Sequence, residues 1–351
     1  MVCIIYLLKK GGFMKVFLIG GTGLLGSVTA KELIRRGHQV LSIALPPVPE
    51  GAELPPEMKL EFKNYLTLTD DEIRGYLKGC EGFVFATGVD ERVDGPSPIY
   101  DFYNKYNLVP LEKFLRIAKE CGVKHAAVCG SYFSYFDKIW PEKEFSRWHP
   151  YIRSRIAQEK MAMSFADDNF SVAVLELPYI FGAQKGREPV WTLIVKVVRG
   201  MPVVTMYPKG GTTMVTIKQV GQAMAGALEK TKGGQCWPIG YYNMSWKEFL
   251  GIVHKYMGFP NRKVITIPTW MLDLGIKSME KKLRKPGAEG GLYMPKFSGL
   301  QAANTFIDKS LGCGPLGVEE DDIDGAIGES IRLAIDVMDG KVKNVVAMKG
   351  E

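Results

Sequence analysis

The sequence has little of what staples a small fold. Its six cysteines stand at 3, 80, 121, 129, 236 and 313, none in a CxxC pair, and its four histidines at 38, 125, 149 and 254 show no metal-ligand spacing. Neither a disulfide framework nor a structural zinc site is expected, no metal is assigned, and the cysteine pattern suits a reducing cytoplasm. No apolar run approaches the roughly 20 residues that span a bilayer, so a membrane is not an expected partner. Repeats and low-complexity tracts are missing too, which excludes a repeat array. Charge of one sign does not dominate: 45 Lys and Arg face 38 Asp and Glu, a net charge of +7. An excess of that size draws phosphate-bearing ligands in general, but it is too dispersed to make nucleic acid the expected partner. The densest basic run, 277–285, and the acidic run 319–322 read as solvated faces, the second at a helix start that welcomes negative charge.

What is present is ordinary globular composition. A chain of 351 residues, 46% hydrophobic and 24% charged, buries about three quarters of its unfolded surface without staples. Residues 1–13 look detached from the rest of the chain and are expected to be a non-native or disordered extension, with Met14 as the natural start. From Met14, short apolar β-branched segments at 15–19, 39–44, 82–86, 126–129 and 171–177 alternate with helical patterns at 24–36, 70–78, 106–121 and 151–165. Such alternation predicts a parallel sheet covered on both faces. Past residue 182 the isolated strand signals 203–206 and 214–217 and the helical patterns 218–230, 246–257, 270–285 and 322–338 predict a smaller mixed part. A cleft between the two parts is the default ligand site.

The first strand runs directly into Gly20-Gly21-Thr22-Gly23-Leu24-Leu25-Gly26 and a helix. A tight turn, close approach of backbone to a pyrophosphate and close helix packing each call for glycine there. The helix N-terminus then offers free N–H groups to phosphate. Ser27 stands where a phosphate-loop NTPase needs lysine.

The spacing Gly20-x-x-Gly23-x-x-Gly26 resembles that of the extended short-chain dehydrogenase/reductases, which include the NAD-dependent epimerases and dehydratases. Ala86-Thr87-Gly88 resembles their turn after the fourth strand, Asn107-Leu-Val-Pro their Asn-headed helix, and Cys129-Gly130-Ser131 their strand end bearing a catalytic Ser. Tyr151-Ile-Arg-Ser-Arg155 resembles their Tyr-x-x-Ser-Lys segment, and Tyr179-Ile-Phe-Gly182 the turn leading to the substrate region. Trp246-Lys-Glu-Phe-Leu250 and Asp308-Lys-Ser-Leu-Gly312 resemble their C-terminal half. The resemblance covers nearly all of 14–340. It implies an α/β fold, a Rossmann-type doubly wound parallel sheet over 14–182 that also takes in 211–243. A smaller mixed α/β substrate region is implied over 183–210 and 244–340, with a tail at 341–351.

By the same resemblance Tyr151 is the acid/base, Ser131 the polariser of the reacting oxygen, Asn107 a member of the catalytic set, and residue 155 the cation that also holds the nicotinamide ribose. The physical demand is clear. A hydroxyl must give or take a proton as hydride moves at the same carbon, and a tyrosine does this if nearby cations pull its pKa, ordinarily near 10, toward neutrality. Tyr151 and Arg155 are four apart and share a helix face. Arg155 departs from the family's Lys: its charge is permanent, its fork is planar, and it cannot relay a proton at neutral pH. The expected cofactor contacts are Gly20 to Gly26 with Thr22, Leu24 and Leu25, then Ala86, Thr87, Gly88, Arg155 and Pro178.

NAD-specific sites place an acid at the end of the second strand. Here that strand ends Ile43-Ala44-Leu45-Pro46. NAD and NADP both stay open, and the missing acid leans toward NADP. Lys185, Arg187 and Arg199 read as solvated cations, with a substrate diphosphate as the alternative. Trp191, Met201, Met206 and Met214 suit an apolar cleft wall or core equally, and Tyr132 and Tyr135 suit cleft wall. Lys218-Gln219 stands where many relatives carry acids. The expected function is an NAD(P)-dependent epimerase/dehydratase or reductase acting on a nucleotide sugar or related alcohol or carbonyl compound. It is expected in the cytoplasm, with a small-molecule substrate and a homodimer implied by resemblance. The alternative is a catalytically silent NAD(P)-binding relative that reports redox state or binds RNA or protein.

Overall fold

The structure is a computed structural model that describes residues 12–283 and 287–347, without the side chains of 277–283. Residues 1–11 of the expected extension, and the side chains of the basic run, lie outside that range. Seven strands form one parallel sheet: β1 (Lys15–Ile19), β2 (Gln39–Ala44), β3 (Lys59–Phe62), β4 (Gly82–Phe85), β5 (His125–Cys129), β6 (Ser171–Glu176) and β7 (Gly234–Pro238). Their order is β7-β6-β5-β4-β1-β2-β3. Two strands escape the sequence pattern. β3 (KLEF) is mostly exposed and β7 (GQCWP) carries a glycine and a proline; both are edges, where one-sided pairing imposes no apolar run.

The period of two sorts each strand onto two faces. Val16, Leu18, Val84, Ala127, Ala173 and Leu175 pack under helices α1 (Leu24–Arg35) and Ile217–Lys230. Phe17, Ile19, Phe83, Phe85, Val128 and Val174 pack on the opposite side against Ile73 and Leu77 of Asp70–Leu77 and Leu111, Phe114 and Leu115 of Val109–Glu120. Stacking of Phe17 on Tyr76 (5.3 Å) and of Phe83 on Phe114 (5.8 Å) fixes that second layer. Burying one such large side chain contributes about 1.5–3 kcal/mol, so the two layers dominate stability.

The remaining elements gather beyond the sheet's carboxyl edge. Strand Gly211–Thr216 pairs with Tyr242–Ser245, Asn304–Thr305 and Tyr179–Phe181. The expected strand at 203–206 lies at Thr205–Pro208 and pairs with Val264–Ile267. The acidic run does start a helix: the Asp322 carboxylate accepts from Gly325 N–H and caps Ile323–Met338. Among the described residues, no helix is long and apolar enough to cross a membrane.

Candidate active site

The turns after β1, β4, β5 and β6 all open at one edge of the sheet, because the strands are parallel. Ligands of such sheets bind at that edge, where the strand order reverses, here between β1 and β4. The glycine turn is built for close approach. Gly20 has φ +96°, and a Cβ there would lie 2.5 Å from the Ala86 carbonyl oxygen; a Cβ on Gly26 would lie 2.1 Å from the Gly20 oxygen. Gly23 at the N-cap of α1 has no side chain to cap it, and no other described side chain does so. Gly21 N–H donates to Ser42 Oγ (3.1 Å), which donates to Leu18 O (2.8 Å). Sequence reasoning missed Ser42; a polar residue inside the apolar stretch of β2 was its signal. Gln184, also missed, donates from Nε2 to Thr22 O (3.2 Å).

The second half of the site centres on Val89. Asn107 clamps it at both ends: Val89 N–H donates to Oδ1 (2.8 Å), and Nδ2 donates to Val89 O (2.8 Å). Asn107 was expected to open a helix. Instead it lies in a π-helical turn, Asn104–Leu108, between Ile99–Tyr103 and Val109–Glu120. A π-turn inserts one extra residue per turn, and the fully buried Asn107 is aimed at the loop. Arg155 converges on the same place. Its Nη2 donates to Val89 O (3.2 Å) and its Nη1 to Gln158 Oε1 (2.8 Å). Its Nε is buried with no partner among the described residues.

Tyr151 lies in the first turn of helix Pro150–Met163 and is only 4% exposed. The Arg155 guanidinium sits 5.0 Å from its ring centre, and the rings of Tyr103 (5.5 Å) and Phe133 (6.4 Å) meet it edge-on. Burial pushes its hydroxyl up to about 12, and the Arg155 charge only partly opposes that. Desolvating the phenolate here costs more than one guanidinium beside the ring returns. Ser131 caps helix Tyr132–Ile139 by accepting from Phe133 N–H (3.4 Å), and Pro178 is buried after β6. Glu91 was not foreseen. Burial, then the Asp90 charge, raises its carboxyl pKa, and its own charge is felt at Tyr151, Tyr103, Tyr132 and Tyr179.

The remaining assignments divide. Tyr132 is buried and shares a hydrogen bond with Thr212 Oγ1 (3.1 Å). Trp191 stacks on Phe181 (4.1 Å) and Met214 is fully buried, so both serve the core, while Met206 is exposed. Gln219 completes a capping box with Thr216, and Lys218 pairs with Asp321 (3.1 Å). Arg35 and Arg36 are held by Glu32 (2.7 Å each), Arg36 also by Glu229 (2.6 Å), near the far end of α1. Lys185 is exposed and Arg199 pairs with Asp339 (2.9 Å). Arg187 is the exception to the solvated reading: it lies on the glycine turn, with Nη2 donating to Thr22 O (3.2 Å).

The residues fit a dinucleotide. The turn leaves no room for a Cβ at Gly20 or Gly26, and among the described residues the helix end is uncapped and a buried guanidinium nitrogen at the same sheet edge has no partner. Sheet order and turn together define a Rossmann-type α/β protein. A model of the NAD dependent epimerase/dehydratase family matches residues 16–240. The chain belongs to that family. Among solved structures it is similar to gox2253 (20% identity, TM-score 0.70, covering 94% of this chain and 99% of that one). It is similar also to PA4631, a nucleoside-diphosphate-sugar epimerase from Pseudomonas aeruginosa (15%, 0.65, 93% and 99%). A third is the Bordetella bronchiseptica enzyme WbmG in complex with NAD and UDP (13%, 0.63, 98% and 100%). At these identities the likeness establishes the fold. A search of curated proteins gave no match.

Proposed function

We infer that the chain is an NAD(H)-dependent epimerase, dehydratase or reductase acting on a nucleotide sugar or a related alcohol or carbonyl compound. The observation that carries the reading is the buried Arg155 guanidinium, 5.0 Å from the Tyr151 ring and with Nε unpartnered, at the sheet edge that also bears the glycine turn. NAD, when bound, supplies the acceptor and donor of hydride. In this reading Tyr151 holds the proton that leaves or joins the substrate oxygen, and Ser131 donates a hydrogen bond to that oxygen. Arg155 supplies a fixed charge and ribose contacts. Asn107 positions the Val89 loop and, through the Asn107 carbonyl that accepts from Gln158 Nε2 (3.3 Å), the Arg155 fork. Residues 183–210 and 244–340 supply the substrate walls. NAD is preferred to NADP because Arg35 and Arg36 are already paired and a structural neighbour is described in complex with NAD.

A second reading, dinucleotide binding without turnover, draws on one specific observation: the Tyr151 hydroxyl is pushed up to about 12. Fluorescence titration with NADH and NADPH, followed by turnover assays on UDP-, GDP- and dTDP-sugars, separates the two. Binding of NADH with turnover of one sugar class supports the first reading, and binding without turnover supports the second. Binding of neither cofactor sinks both. A homodimer belongs to the same inference, and light scattering at the monomer mass would remove it.

A further inference from the structure

Lys185, Arg187 and Arg199 all come after Gly182 in the chain, and their partners differ. Lys185 approaches Glu53 at 4.0 Å with both side chains exposed, and Arg199 pairs with Asp339 at 2.9 Å. Arg187 instead bonds neutral groups: Nε to Gln184 Oε1 (2.7 Å) and Nη2 to Thr22 O (3.2 Å). Among the described residues no carboxylate pairs with it. Two of the five guanidinium N–H groups are thus used and three remain. Burial alone moves its pKa, downward, as for a cation that has lost water and gained no anion.

Its backbone is held on two sides. A Cβ on Gly186 would lie 2.4 Å from both Glu50 N and Glu50 O, so the 49–50 loop touches the chain there. From the other side Val346 N–H donates to Gly186 O (2.8 Å) and Glu188 N–H to Val346 O (3.1 Å). Gln184 Nε2 adds a bond to Ser27 Oγ (3.3 Å) inside α1. Segments far apart in sequence therefore fix one unneutralised guanidinium against the carbonyl of Thr22 in the glycine turn.

We propose that Arg187 is the charged partner of the cofactor's pyrophosphate, and not a contact for a substrate diphosphate. Planar forked donors suit phosphate oxygens, and an anion held by the turn N–H groups lies next to Thr22. This rests on the reading of the chain as an NAD(H)-binding protein.

The test is calorimetric titration of the full chain with NADH, ADP-ribose and adenosine, for wild type, Arg187→Gln and Arg187→Lys. Charge-assisted hydrogen bonds of this kind correspond to roughly tenfold or more in Kd. Arg187→Gln is expected to weaken NADH and ADP-ribose equally, by about tenfold or more, and to flatten the salt dependence of both. Adenosine binding stays unchanged. Arg187→Lys, which keeps the charge, recovers most of the loss, and Arg187→Met removes the charge if the Gln variant fails to fold. Unaltered ADP-ribose affinity in a variant that lacks the charge overturns the proposal, as does a loss confined to NADH. Wild-type protein that binds neither NADH nor ADP-ribose sinks the cofactor reading itself, a distinct outcome.

Discussion

The glycine turn and the Tyr151–Arg155 pair stand at the same sheet edge, yet they are made in opposite ways. The turn is local: a few consecutive residues, a φ of +96° at Gly20 and a Cβ-free approach of Gly26 to the Gly20 carbonyl. The pair is held from afar, by Val89 and Asn107 on other elements, with Gln158 of the same helix between them. In the turn, residue type follows from sterics. In the pair, residue type leaves open how far burial or charge governs the phenol, and burial wins.

The sharpest way to break this contrast is Gly26→Ala. Its methyl would lie 2.1 Å from the Gly20 oxygen, so the loss should exceed ordinary overpacking of about 1–3 kcal/mol. A lowered thermal midpoint together with abolished NADH quenching is expected; retention of both would mean the turn is not sterically closed. Next is Tyr151→Phe. The ring packing with Tyr103 and Phe133 is kept, so NADH affinity should hold while turnover falls by about a hundredfold or more. Unchanged turnover would remove Tyr151 as the proton carrier.

Arg155→Lys separates fork from charge. Lysine cannot hold Gln158 and Val89 in the same fork, and each lost bond costs about 0.5–1.5 kcal/mol. The variant should unfold at lower denaturant and turn over no faster than wild type. A tenfold rise in turnover would show that arginine impairs the site.

The smallest effect concerns pH. Burial lowers the pKa of His149 from 6.5 to about 4 while its Nδ1 accepts from Tyr293 N–H (3.0 Å). The unfolded chain takes up this proton near 6.5 and the folded chain only near 4. The unfolded form therefore binds more protons in that window. The stabilisation is full above 6.5 and falls with pH, by at most about 1.4 kcal/mol per unit. His149→Asn should flatten the acid limb of a denaturation series between pH 6.5 and 4, and an unchanged limb would assign it to other groups.

Legibility followed the same divide. The core strands β1, β2, β4, β5 and β6 were readable because both faces are buried and their runs are apolar. The edges β3 and β7 lacked that signal. Asn107 was picked out as a site residue, but its π-turn was not, since one inserted residue leaves no mark on an apolar pattern. Arg187 was read with Lys185 and Arg199 as a solvated cation because nothing in its neighbours shows that Glu50, Thr22 and Val346 meet around it.

The order of residues alone determined the parallel α/β core and the glycine turn, since alternation of apolar positions and the space around a missing Cβ are properties of short stretches. Tertiary structure decided the burial of Tyr151, the partners of Arg155 and the place of Arg187. Those depend on desolvation and on donors from distant segments, and both exist only once the chain has packed.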